Sequence, residues 1–558
     1  MVRTIIALWG KEWNGLHAAA FLIAVFTFVA QLLAIFRDRL LAHMFGAGPE
    51  LDVYYAAFRI PDFLYVAIAS LVSITVLIPF LAERLRPEDG EEARRFVRGI
   101  FTFFSLLIGA TSIIAFFAVP ALSNLLVPGF SDAQREIFIS ITRLLLLSPI
   151  LLGISSILGS VVQVYRKFFV YALAPVVYNI GIISGIVLFA DSFGIYGVAW
   201  GVLLGALLHL AIQLPVFFSH GFSLRFEWLS LHDLRMVISL ALPRTIALSA
   251  AHLSFIALIA AGSFLAEGSI AVFSFAFNLQ SVPLAIIGVS YSVAAFPTLA
   301  RMFAGGATKE FAAHVSLAAR HILLWSIPVI VLFVVLRAQI VRVTLGSGLF
   351  DWSDTRLTAA ALALFVVSLA AQGIALLLTR AYYAAGKTKI PLFVNVGASL
   401  VAAIAGVVGA FSLHASDAAR FFVEEVLRIA YVPGSEVVIL AGAYAIGQIA
   451  AGGLLFVFFK RDVPGFSLAL GRSFFQIIAA SLIMGIVAYY TLLLSAPFLN
   501  TNTFLGIFTQ GACAGILGIF AGIIALVVLG NKEVREVANA FHRRMRPETI
   551  VAPDQEEL

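Results

Sequence analysis

The chain has 558 residues, 61% of them hydrophobic and only 12% charged, with a mean hydropathy of +1.03. That balance excludes an ordinary soluble globular domain and points to a polytopic membrane protein. The formal charge of +6 reflects arginine-rich loops and not a nucleic-acid surface, and the single cysteine, Cys513, excludes an intrachain disulfide or a Cys-based metal cluster.

The N-terminal stretch MVRTIIALWGKEWNGLHAAAF has no short apolar core followed by a small-residue cleavage site, so His17 to Phe36 is expected to be a retained first span. Apolar runs of about 20 residues recur from end to end, each long enough to cross the hydrocarbon core as a helix. Strand-like alternation is absent, which excludes an outer-membrane barrel. Fourteen helices are expected, centred near residues 27, 68, 112, 150, 180, 206, 250, 285, 324, 368, 402, 447, 483 and 518.

The connections fall into two alternating sets. One is rich in cations: Arg84, Arg86, Arg94, Arg95 and Arg98, then Arg166 and Lys167, Arg225 and Arg235, Arg301 and Lys309, Lys387 and Lys389, and Lys460, Arg461 and Arg472. Arg3, Lys11 and the basic C-terminal tail belong to the same set. By the positive-inside rule this set faces the cytoplasm, placing both termini inside, as an even number of spans requires. On the opposite face, residues 337–358 end in Ser353 and Asp354, expected N-cap residues for the tenth span. Residues 414–434 carry Phe422, Val426 and Ile429 at helical spacing and are read as a short interfacial helix.

Self-similarity organises the chain. PVVYNIG at 175–181 recurs as PLFVNVG at 391–397, an offset of 216 residues. DVYYAAF at 52–58 resembles AVFSFAF at 271–277, offset 219, and PFLAERL at 79–85 resembles PTLARMF at 297–303, offset 218. The expected fold is therefore all-α, with two six-helix lobes (1–220 and 235–460), two extra helices (465–530) and a cytoplasmic tail (531–558). Because the offset covers an even number of helices, the copies are parallel repeats, a plan used by transporters that rock two lobes about a central site. Asn179 and Asn395, each four residues after a proline inside a span, are read first as partners for freed backbone groups and second as substrate contacts.

Ionisable residues within spans are costly and mark cavities or buried partners. Arg59 and Asp62 bracket Pro61 and share one helical face; Arg143 lies in the fourth span and Arg244, beside Pro243, in the seventh. Arg37, Asp38 and Asp52 flank the first outward connection. Asp52 is open to two readings, a helix cap or a ligand contact, and Arg143 to snorkelling or a partner within its lobe. His43, His209 and His252 read as isolated packing residues. The surplus of arginine at such depth favours an anionic substrate, because guanidinium binds phosphate bidentately and stays charged. There is no GxSxG elbow, HExxH helix, Walker loop or Cys/His ligand set, so neither a catalytic set, a metal site nor a cofactor is expected.

The stretch FRDRLLAHMFGAGPELDVYYAAFRIPDFL, Phe36 to Leu64, resembles the signature of the MurJ (MviN) lipid II flippases. VYRKFFVYALAPVVYNIG, SGLFDWSDTRLTAAALAL and RAYYAAGKTKIPLFVNVG resemble further segments of that family in the same order. The resemblance implies the multidrug/oligosaccharidyl-lipid/polysaccharide (MOP) exporter superfamily and transport of an undecaprenyl-pyrophosphate-linked peptidoglycan precursor across the bacterial inner membrane by alternating access. It matches Arg37, Asp38, Asp52 and Arg59 to family positions; Arg244 joins them as a substrate-binding candidate from its depth. The chain departs from the family where Ala30-Gln31, Tyr65, Val66, Ser70 and Asn278 replace charged or polar residues. Expected partners are the lipid-linked anionic substrate, the bilayer and cell-wall synthesis proteins. The alternatives are a polysaccharide-lipid flippase or drug exporter of the same superfamily, and a non-transporting scaffold for cell-wall enzymes.

Overall fold

The computed structural model describes residues 16–69, 90–467 and 471–534. The repeat copy at 79–85, the far half of the second expected span and the tail beyond Val534 lie outside the described residues, as does the side chain of Arg244. Every regular element among the described residues is helical.

The first span is α1, Leu16–Phe45, and a turn with Gly46 at φ +60° leads to α2, Pro49–Ala57. The chain bends at Phe58 into α3, Arg59–Ala69, with Pro61 in the first turn, where a missing N–H costs no helical hydrogen bond. Next come α4 (Gly90–Leu126), α5 (Asp132–Leu145) and α6 (Leu147–Val164), with α5 opened by a reciprocal capping box between Ser131 and Gln134. α7 (Phe168–Phe193), α8 (Ile195–Ala211) and the short α9 (Leu214–Ser219) follow. α10 is Leu231–Gly262; α11, Ser269–Leu284, passes through a π-helical turn at Ala285–Val289 into α12, Ser290–Ala304. Then come α13 (Thr308–Thr344), α14 (Trp352–Val367) and α15 (Leu369–Ala384), the last two bent by 43°. α16 (Lys389–Ala415), α17 (Asp417–Leu427), α18 (Val437–Asp462), α19 (Arg472–Ser495) and α20 (Phe504–Val528) complete the chain.

Among the described residues, ten helices are long and apolar enough to cross a membrane, or eleven if α14 and α15 form one bent span. Large apolar side chains such as Phe117, Leu188, Phe393 and Ile524 point outward, an arrangement suited to lipid and costly in water. The protein is an all-helical, multi-pass membrane protein.

The chain divides into two compact units. The first comprises residues up to Val282 together with Val341–Ser368 and Gly386–Leu455. Its core includes Phe104, Ile157, Val161 and Phe217 from α4, α6 and α9. In α7, Asn179 Nδ2 donates to the Pro175 carbonyl at 3.0 Å and to that of Ala30 at 3.5 Å, the backbone-satisfying role expected of it. Gly181 and Gly185 meet Gly205 and Gly201 so closely that a Cβ at either position would lie within 2.3 Å of the opposing Cα. Backbone contact of this kind holds helices together where lipid supplies no hydrophobic drive. Arg143 donates to the Phe116 carbonyl at 3.0 Å and sits 4.6 Å over its ring, a partner within its own lobe. The second unit comprises Pro283–Ile340, Leu369–Ala385 and Phe456–Leu558. There Leu324, Ile477, Ala480 and Leu526 form a cluster, and Gln476 donates to the Leu529 carbonyl at 2.6 Å.

Two loop expectations need correction. The N-cap of α14 is Asp351, whose side chain accepts from the amide of Asp354, while Asp354 reaches back to the Asp351 amide. The helix thus starts earlier than Ser353 because a reciprocal box satisfies two free amides at once. In the 414–434 connection, Phe422 and Val426 are exposed as expected of an interfacial face, but Ile429 is buried. Arg428 ends α17 in the left-handed region, which turns Ile429 back inward.

Candidate membrane-embedded binding site

Of the expected site residues, Arg37 and Arg59 border one cavity in the first unit. A cavity of about 420 Å³ is lined by Arg37 and Leu41 of α1, Tyr54 and Tyr55 of α2, Phe58, and Arg59 and Asp62 of α3. From farther along the chain come His252 and Phe255 of α10, Ser274, Phe277 and Asn278 of α11, and Tyr444 and Gln448 of α18. The break at Phe58 turns α3 so that Arg59 and Asp62, three residues apart, both reach the cavity.

Arg37 and Asp38 form a close pair. The guanidinium donates from Nε at 2.9 Å and from Nη2 at 2.7 Å to Oδ1 of Asp38, and Asn278 Nδ2 donates to Oδ2 at 2.9 Å. The Asp38 carboxylate is therefore fully engaged, and its role is to hold Arg37 in place while Arg37 borders the cavity. Arg37, Asp38 and Asn278 also border a smaller cavity of about 190 Å³ with Gln31 and Leu345. Arg39, the other cation of the cluster, donates to the Val343 carbonyl at 2.6 Å.

Arg59 is fixed by two contacts. Its Nε donates to the Tyr55 carbonyl at 2.9 Å, and its guanidinium carbon lies 4.6 Å from the centre of the Phe255 ring. Phe255 is itself held edge-on by Phe277, ring centres 5.0 Å apart. A planar cation backed by an aromatic face presents its remaining N–H groups in a fixed direction.

Asp52 stands apart. It is 4% exposed and is not among the residues lining the cavity; Oδ2 accepts from the Gly268 amide at 2.6 Å and Oδ1 from the Ala271 amide at 2.7 Å. Of the two readings open from the sequence, the capping geometry is the observed one, although the capped helix is α11 and not α2. A carboxylate there satisfies free amides and meets the positive end of the helix dipole. Arg244 lies on α10, with its side chain outside the described residues.

Sequence reasoning left out Tyr54, Tyr55, Phe255, Tyr444 and Gln448 and took His252 for a packing residue; all line the cavity. Aromatic residues inside an apolar run carry no signal that separates a cavity wall from a packed interface. Among the described residues, the hydroxyls of Tyr55 and Ser274 are buried without a hydrogen-bond partner.

The comparisons with known proteins agree with one another. Residues 41–509 match the family model for lipid II flippase MurJ. A protein of Buchnera aphidicola subsp. Acyrthosiphon pisum named "Probable lipid II flippase MurJ" is 27% identical over 376 residues, covering 66% of this chain and 73% of the relative. A solved structure described as lipid II flippase MurJ in an inward closed conformation aligns with a TM-score of 0.70 at 24% identity, over 93% of this chain and 100% of that one. An inward-facing multidrug-resistance MATE transporter of the MOP superfamily aligns with a TM-score of 0.63 at 14% identity, over 78% and 95%. These structural likenesses establish the fold, and the family match spans most of the sequence. The chain belongs to the lipid II flippase MurJ family, membrane transporters and not enzymes.

Proposed function

We propose that this chain carries lipid II, an undecaprenyl-pyrophosphate-linked peptidoglycan precursor, from the inner to the outer leaflet of the bacterial inner membrane by alternating access. The observation that carries the reading is the convergence of Arg37 and Arg59 on one cavity within apolar helices. Guanidinium groups grip pyrophosphate oxygens bidentately, and a site shielded from water strengthens that attraction. Asp38 orients Arg37, Asp52 braces the start of α11, and Arg244 adds a third cation from α10. The polyprenyl tail stays in lipid while the head group occupies the cavity.

The architecture that fits this mechanism has fourteen spans with both termini cytoplasmic. Two six-helix lobes, 1–220 and 235–460, are related as parallel repeats and rock about the cavity; helices at 465–530 and a tail at 531–558 follow. The test is complementation. In cells depleted of their own flippase, expression of this chain is expected to restore outer-leaflet exposure of labelled lipid II. Failure to restore it, with the protein present in the membrane, rejects the assignment.

A further inference from the structure

Three aspartates lie near the candidate site, and they differ in how their carboxylates are used. Both oxygens of Asp38 are taken, by Arg37 and Asn278, and both oxygens of Asp52 are taken, by backbone amides. Asp62 is the one carboxylate among the described residues lining the 420 Å³ cavity. No side-chain hydrogen bond or ion pair within 4 Å is made by it among the described residues, and the charged groups facing it are Arg59 and His252. Arg59, its neighbour on α3, is directed to the Tyr55 carbonyl and the Phe255 ring.

The charges of this site are consequently of both signs. Among the described residues Arg37 and Arg59 stand against Asp38 and Asp62, two cations and two anions. At a site built only for pyrophosphate, a carboxylate facing the cavity repels phosphate and costs desolvation. A head group that carries a cation as well as an anion turns that cost into recognition.

We propose that Asp62 is a specificity residue that accepts a primary ammonium on the lipid-linked head group while Arg37 and Arg59 hold its pyrophosphate. This rests on the flippase reading above and names the substrate subclass: precursors whose peptide retains a free side-chain amine. His252, on α10 and lining the same cavity, stands beside this acceptor and adds no competing anion.

The test uses the purified full chain in nanodiscs and two probes, lipid II with its peptide amine free and the same lipid with that amine N-acetylated, with binding followed by native mass spectrometry. A charge-assisted hydrogen bond predicts that the free-amine lipid binds about tenfold more tightly. Asp62→Asn is expected to bind both probes equally, at the level of the acetylated lipid. Equal binding of both probes by the unmodified chain overturns the Asp62 proposal and leaves the flippase reading standing. A preference retained by Asp62→Asn also overturns it. Binding of neither probe by the unmodified chain overturns both readings. The comparison of probes on the unmodified chain does not depend on the folding of any variant.

Discussion

The amide of Ala271 donates a 2.7 Å hydrogen bond to Oδ1 of Asp52, and Ala271 is the residue aligned with Asp52 in the second copy of the internal repeat, 219 positions on. Equivalent positions of the two repeat copies thus touch each other. The contact also closes the hairpin of α1 and α2 onto the start of α11. Asp52→Ala leaves two buried amides without an acceptor, so a loss of about 2 kcal/mol or more is expected. Thermal unfolding in detergent should fall further for Asp52→Ala than for Asp52→Asn, which keeps one acceptor.

The same offset relates two loop glycines, Gly129 and Gly348. A Cβ on Gly129 would lie 2.1 Å from the Ser263 carbonyl oxygen, and one on Gly348 would lie 2.2 Å from that of His43. Each loop is also tied to the opposing segment by a hydrogen bond: the Gly129 amide to Ser263 Oγ at 3.0 Å, and the Leu349 amide to the His43 carbonyl at 3.0 Å. Gly348 alone of the two has a left-handed backbone, φ +58°. Alanine at either position should lower the melting temperature, and Gly348→Ala should lower it more, by about a further 1 kcal/mol of left-handed strain.

Arg59 depends on an aromatic neighbour. Removing the ring with Phe255→Leu keeps an apolar wall but loses the cation–π contact, worth about 0.5–2 kcal/mol. The expected result is a several-fold loss of lipid affinity with little change in thermal stability. Phe255→Tyr should keep the affinity. A leucine variant that binds as well as the parent would show that Phe255 does not position Arg59.

The connection after α16 offers a pH-dependent element outside the spans. Glu424 accepts from Ser435 Oγ at 2.5 Å and from Arg420 Nε at 2.8 Å, and Arg420 also pairs with Glu436 at 3.2 Å. Burial works against the Glu424 charge, but the Ser435 hydroxyl and the Arg420 guanidinium outweigh it, holding this carboxyl below the usual range. A depressed folded-state value means the stabilisation is present above the ordinary carboxylate range and is lost as pH falls through the lowered value. Protection factors across 417–436, corrected for the intrinsic pH dependence of exchange, should therefore fall in acid, and Glu424→Gln should show the lower protection already at neutral pH.

The ten or eleven spans among the described residues were legible because length and apolarity decide them, whereas the breaks at Phe58, at Ser368 and through the π turn at 285–289 were not. Arg37 and Arg59 were legible as residues facing a cavity because a charge inside an apolar run has few bland explanations. The partner of Asp52 was not, because it is a pair of backbone amides more than 200 residues away and amides leave no trace in a sequence. Phe255 and Gln448 were missed for a related reason: only the folded position separates a cavity wall from ordinary packing. The cap of α14 was misplaced by two or three residues because Asp351, Ser353 and Asp354 are all competent caps and geometry chose the first.

The claim that Arg37 and Arg59 grip a lipid-linked pyrophosphate is tested most directly by following fluorescent lipid II across liposomes containing the purified chain or its Arg37→Gln/Arg59→Gln variant. The account predicts that the chain moves the lipid and that the variant, folded by its melting temperature, does so at least about tenfold more slowly, as loss of two charge-assisted contacts requires. Movement by the variant at the parent rate, or none by the parent, would contradict it.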